Sequence, residues 1–158
     1  MFVRLMVSGV ALIALTASSF AQQGDKRTWR LRTEAGQSNL TYGTDNAEDT
    51  PITFSCKAGR GVVEAFINET AAGVKAGRSM SASLVADSVT AKLPGRTMTN
   101  EEAGTPSFMG TMAASDPLFA ALRPAKQLVM TVGPSRQQVP LKEIGDKGDK
   151  FARLCAKR

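Results

Sequence analysis

In Trp29-Arg30-Leu31-Arg32-Thr33 apolar and charged side chains alternate. A period of two is the signature of a strand, so Trp29, Leu31 and Thr33 share one face and both guanidinium groups take the other. Leu40 and Tyr42 repeat the alternation, and Ile52, Phe54 and Cys56 form a third apolar row behind Pro51. After the turn Lys57-Ala58-Gly59-Arg60-Gly61, the run from Val62 to Ile67 is β-branched and aromatic, and it pairs back as a hairpin. Four consecutive strands therefore open the domain.

Downstream, Met80 to Leu93 continues the alternation, with a bulge or register change expected near Asp87. Pro94-Gly95 reads as a turn, followed by return strands at Arg96 to Asn100, Ser107 to Ala113, Gln127 to Val132 and Gln137 to Leu141. Two helices interrupt the pattern. Ser115 or Asp116 caps a short one that starts at Pro117, buries Leu118, Phe119 and Leu122, and stops at Pro124. The second runs from about Asp146 to Lys157 with Phe151, Leu154 and Cys155 as its inner stripe. Short strands at this spacing, with so little helix, predict a mainly β fold. The expected form is a β-sandwich or partly open barrel with one short internal helix and a C-terminal helix tied by a disulfide.

Residues 1–21 have the layout of an export signal and are set apart from the fold. Arg4 supplies the positive start, Leu5 to Ala17 the apolar stretch, and Ser19-Phe20-Ala21 the small residues of a cleavage site after Ala21. The apolar stretch is shorter than the roughly 20 residues of a spanning helix, which argues against a stable membrane anchor. Residues 22–158 then form a single β-rich domain in a periplasmic or secreted bacterial protein. Export places the two cysteines in an oxidising compartment, so Cys56 and Cys155 are expected to pair; the alternative is two unpaired buried thiols.

Several packing motifs recur in order: Thr-Phe-Ser-Cys at 53 to 56, Asp-Pro-Leu-Phe-Ala-Ala-Leu at 116 to 122, Leu-Val-Met-Thr-Val at 128 to 132, Val-Pro-Leu-Lys-Glu-Ile-Gly at 139 to 145, and Phe-Ala-Arg-Leu-Cys at 151 to 155. This order resembles the small exported bacterial β-sandwich proteins that include the type VI secretion-associated VasI family and the invasion-associated locus B-like proteins. The resemblance implies a fold and a compartment, and it carries no catalytic residue onto this chain.

The chain contains no histidine, which removes His-centred triads and His-ligated zinc from consideration. Lys57 beside Cys56 is a weak case for a reactive thiol, because a staple accounts for Cys56 better. Gly59-Arg60-Gly61 lacks the third glycine and following helix of a dinucleotide loop. Glu101 and Glu102 are adjacent; on a strand they would point to opposite faces, so they read as a solvated loop rather than a catalytic pair. No catalytic residue, cofactor or metal ligand is expected.

Charge is the positive signal. Twenty Lys and Arg stand against fourteen Asp and Glu, a net +6. Arg30 and Arg32 near the start of the domain, and Lys147, Lys150, Arg153 and Lys157 near its end, would form a patch for an anionic partner if the first strand lay beside the last helix. The plainer reading of these charges is a solvated face. Two function classes follow. One is a non-catalytic periplasmic binding or accessory protein contacting an anionic envelope component or an envelope protein, with no nucleic acid partner. The other is an inhibitor of a hydrolase of the lysozyme or protease type, acting through an exposed loop at Glu69 to Ser79 or Glu101 to Pro106.

Overall fold

Trp29 sits on the first strand, yet its indole Nε1–H donates to the backbone oxygen of Pro140 on the last strand, 2.8 Å away. The two edges of the sheet are thus brought together by one side chain. The computed structural model describes residues 26–44, 49–68, 70 and 73–157; the expected leader, residues 1–21, lies outside them. The described strands are β1 (Thr28–Glu34), β2 (Gln37–Gly43), β3 (Ile52–Lys57), β4 (Val62–Ile67), β5 (Ser79–Ala86), β6 (Val89–Met98), β7 (Ser107–Ala113), β8 (Gln127–Val132) and β9 (Ser135–Pro140). They form one antiparallel sheet in the order β1-β2-β3-β4-β7-β6-β5-β8-β9. Of the two expected forms, the chain adopts the partly open barrel: a single curled sheet rather than two stacked ones. A curled sheet can bury one face around its own interior, so no second sheet is needed to cover it.

Alternation decides which residues enter that interior. Trp29, Tyr42, Ile52 and Ile67 lie side by side across β1 to β4, and Leu31, Leu40, Phe54 and Ala65 make the next row. Nearly all of these are buried, with Leu31 only partly so. The helices α1 (Leu118–Ala121) and α2 (Lys147–Cys155) pack on this same face. Phe119 from α1 and Phe151 from α2 meet Phe54 at ring distances of 5.6 and 6.4 Å and each other at 5.6 Å, so an aromatic triad joins both helices to the sheet. Asp116 caps α1 as expected, its carboxylate accepting the Leu118 N–H at 2.9 Å. Cys56 and Cys155 are bonded, with Cα atoms 5.7 Å apart, and tie the end of α2 to β3.

Three expectations need correction. Asp87 is not a bulge: it has φ +51 and, with Ser88, forms the turn between β5 and β6. Pro94-Gly95 is not a turn but lies inside β6. Pro94 stands opposite Ser81, just before the ladder to β7 begins at Gly95, so β5 alone lies alongside and the missing N–H is tolerated as it is at an edge. Gly95 pairs with Gly110, and a side chain on either would meet the Phe108 ring within 3 Å; the ring fills the space the two glycines leave. Lastly, Leu154 is exposed, and the buried stripe of α2 is Gly148, Phe151 and Cys155.

Trp29→Phe tests the barrel closure. It removes the hydrogen bond to Pro140 and part of a buried ring, and it should cost about 1–2 kcal/mol. Amide exchange should quicken in β1 and β9 while β4 and β7 stay protected. Uniform acceleration across the sheet would show that the indole does not hold the edges together.

Candidate functional site

The outer face of β1 to β4 is polar, and it is built from positions that point away from the buried rows. Arg30, Thr41, Thr53 and Phe66 form one row across the four strands; Arg32, Asn39, Ser55 and Glu64 form the next. Arg30, Arg32, Asn39, Thr41, Thr53 and Phe66 line a groove of about 450 Å³. Thr44 and Thr50 form one wall and Asn68 lies at the end of β4. The wall stands close because Gly43 has no side chain: a Cβ there would lie 2.5 Å from the Thr50 hydroxyl and 2.7 Å from the Asp49 oxygen. The Thr44 N–H bonds the same Asp49 oxygen at 3.1 Å.

Hydrogen bonds hold the lining in place. The Thr41 and Thr53 hydroxyls are 3.4 Å apart, and the Ser55 hydroxyl donates to Asn39 Oδ1 at 2.7 Å. Arg30 donates through its guanidinium to the Thr44 carbonyl oxygen, which steers that charge along the groove. Two residues along a strand place Arg30 and Arg32 about 7 Å apart on one face. Among the described residues that line the groove there is no carboxylate. Such a surface can hold an anion and exchange hydrogen bonds with it.

The six cations expected to form one patch fall into two groups. Helix α2 does lie near β1 and β2, but it packs on the face that carries Trp29 and Leu31. Pleating therefore puts Arg30 and Arg32 on the opposite side of the sheet from Lys147, Lys150, Arg153 and Lys157. Lys147, Lys150 and Arg153 span a sector of about 120° on α2, away from its buried stripe, and Lys157 follows the end of the helix. Lys150 is bound to Asp146 at 2.8 Å, and Lys147 Nζ donates to the Glu143 backbone oxygen. The hydrogen bond from Lys150, with the nearby charges of Lys150 and Lys147, holds the Asp146 carboxyl below its ordinary range. That contact helps the start of α2 above the ordinary carboxylate range and is lost as pH falls through the lowered value.

Two regions were not anticipated. Lys57 and Arg60, at the β3–β4 turn, join Lys157 at the C-terminal end of α2, where the Lys157 Cβ approaches Gly61; Glu64 also lines the hollow there, so its charge is mixed. The amide and hydroxyl lining of the groove was the larger omission. Its signal was present in the outward positions of β2 and β3, which hold Asn39, Thr41, Thr53 and Ser55 where a merely solvated face usually carries Lys and Glu.

The described residues at the ends of the two loops named as alternative inhibitory elements are linked to each other at one end of the sheet. Asn100 Nδ2 donates to the Asn68 backbone oxygen at 3.0 Å and to the Ser107 hydroxyl at 2.8 Å, and the Thr70 hydroxyl donates to the Pro106 oxygen at 2.8 Å. Thr97 adds a further link through its hydroxyl, which donates to the Lys75 oxygen at 2.6 Å. Among the described residues, no three His, Cys, Asp or Glu side chains gather as metal ligands would, and no helix is long and apolar enough to cross a membrane. No protein-family model matches this chain, and no significant match was found among curated proteins or solved structures.

Proposed function

We propose that this protein is a non-catalytic binding or accessory component of the bacterial cell envelope, periplasmic or secreted, which holds an anionic partner in the outer-face groove of β1 to β4. The observation that carries the reading is the placement of Arg30 and Arg32 on one face, above a lining of hydroxyl and amide side chains. Guanidinium forks match carboxylate and phosphate oxygens in two-point contacts, and the surrounding groups fix orientation. The disulfide is compatible with an oxidising compartment outside the cytoplasm. The hydroxyls of the lining have no imidazole beside them to act as a base, since the chain has none.

Sedimentation with washed envelope fragments tests this. The protein should co-sediment at low salt and progressively less as salt rises. Arg30→Gln with Arg32→Gln should weaken the association about tenfold or more, because each lost contact is charge-assisted. Lys150→Gln with Arg153→Gln should leave it nearly unchanged. Association that ignores salt, or that is lost only in the α2 variant, would remove the groove from the account.

A second reading is an inhibitor of a hydrolase, favoured by the linked loop ends. Asn100 bonded to Asn68, and Thr70 bonded to Pro106, tie the start of one segment to the other, and a tethered edge of this kind enters a foreign active site at lower entropic cost. Inhibition of lysozyme or a protease without envelope association would favour it.

A further inference from the structure

We propose that the turn Lys75-Ala76-Gly77-Arg78 is an inhibitory element whose partner is a glycoside hydrolase, and that it enters the cleft holding that enzyme's two carboxyl groups. The inference rests on the inhibitor reading above and names its partner. Ala76 and Gly77 form the tip, Gly77 with φ +73, and all four residues are exposed. A Cβ built on Gly77 would meet nothing within 4 Å, so the tip stands clear of the body. One buried residue holds the turn. Thr97, in β6 and 1% exposed, accepts the Arg78 N–H on its hydroxyl oxygen at 3.0 Å and donates that hydroxyl to the Lys75 oxygen at 2.6 Å. Its backbone oxygen accepts the Gly77 N–H and its own N–H donates to the Arg78 oxygen, both at 2.9 Å. These bonds order the turn before any partner arrives, which lowers the entropy lost on docking.

Charge selects the partner. Lys75 and Arg78 flank the tip, and among the described residues neither forms an ion pair. The ends of a tight turn lie within about 7 Å at Cα, so two long basic side chains leave it as neighbours. Most glycoside hydrolases work through two carboxyl groups about 5–9.5 Å apart, one ionised and one protonated. A cation on the first and a hydrogen-bond donor to the second would block both, and Lys75 and Arg78 supply them. A protease fits less well. A substrate-like inhibitor offers the carbonyl of its specificity residue to the oxyanion hole. Here the Lys75 and Arg78 carbonyl oxygens, the two that a protease selective for basic residues would attack, are both turned inward onto Thr97. The positive φ of Gly77 between them also interrupts an extended backbone. The turn presents side chains and withholds its peptide bonds.

Steady-state assays on a lysozyme, with a soluble N-acetylglucosamine oligomer as substrate, and on a protease that cleaves after Lys and Arg test the assignment. The purified protein should raise the KM of the lysozyme with kcat unchanged, and less so as salt rises. Lys75→Ala with Arg78→Ala should weaken inhibition about tenfold or more at an unchanged thermal midpoint, since both side chains are exposed. Thr97→Val frees the turn and leaves both charges in place. It should weaken inhibition severalfold, whereas Thr97→Ser, which keeps the hydroxyl, should inhibit like the parent. Lysozyme inhibition that the double alanine variant retains would overturn the role of the turn and leave the inhibitor reading standing. Inhibition of the protease alone would overturn the glycosidase assignment and likewise leave that reading. Inhibition of neither enzyme would refute both.

Discussion

Replacing Cys56 and Cys155 together by alanine is expected to lower the unfolding free energy by about 3–5 kcal/mol. The bond closes a loop of 99 residues, and constraining a loop of that length removes much of the freedom of the unfolded chain. Its removal also releases a local contact. The Gly61 N–H donates to the Cys155 oxygen at 2.8 Å and the Gly59 N–H to the Leu154 oxygen at 3.3 Å, so the β3–β4 turn caps the end of α2 only while the two stay together. Denaturant titration of the double variant should show the full loss, and hydrogen exchange should show α2 opening before the sheet. Alanine is preferred to serine because Cys155 is completely buried and a hydroxyl there would need a partner. A loss below about 1 kcal/mol would mean that the reduced, unfolded chain keeps much of this contact on its own.

The second large effect is expected from Phe54→Ala, at about 3–5 kcal/mol. Phe54 is fully buried at the centre of the second inner row, and it is the ring on which both helices converge. Truncation opens a cavity between the sheet, α1 and α2 that none of them can fill alone. The thermal midpoint should fall by roughly 10–20 °C for a domain of this size. Coupling between Phe54→Ala and Phe119→Leu in a double-mutant cycle should be about 0.5–1.5 kcal/mol, since the rings meet edge to face at 5.6 Å with an interplanar angle of 75°. Leu154→Ala, on the outer side of α2, should change stability by no more than about 0.5 kcal/mol. A similar loss at both positions would contradict the inner stripe described for α2.

Much of the fold was legible residue by residue. Period-two patterns located β1 to β4, and Asp116 with Pro117 located α1. The misreadings share one cause. Pro94-Gly95 is a turn signal by local chemistry, but Gly95 is needed where Phe108 covers it from the neighbouring strand. Leu154 belongs to an apolar stripe by spacing, yet the width of that stripe is set by what faces it, and Phe54 and Phe119 engage Phe151 instead. The groove was missed because its lining comes from β1, β2, β3 and β4 with a wall from Thr44 and Thr50, and no single stretch carries its pattern.

Alternation along each strand is a property of the pleat, and it assigned every side chain of β1 to a face before any neighbour was known: Trp29 and Leu31 to one side, Arg30 and Arg32 to the other. The pair of cysteines and the mainly β character were equally readable. Only the tertiary structure decided that one curled sheet, rather than two, encloses the core, and that α2 lies inside the curl and so parts its cations from the arginines. Those outcomes depend on pairings such as Val62 with Ala113 and on Trp29 reaching Pro140. They are set by how remote apolar surfaces fit one another, which no local period records.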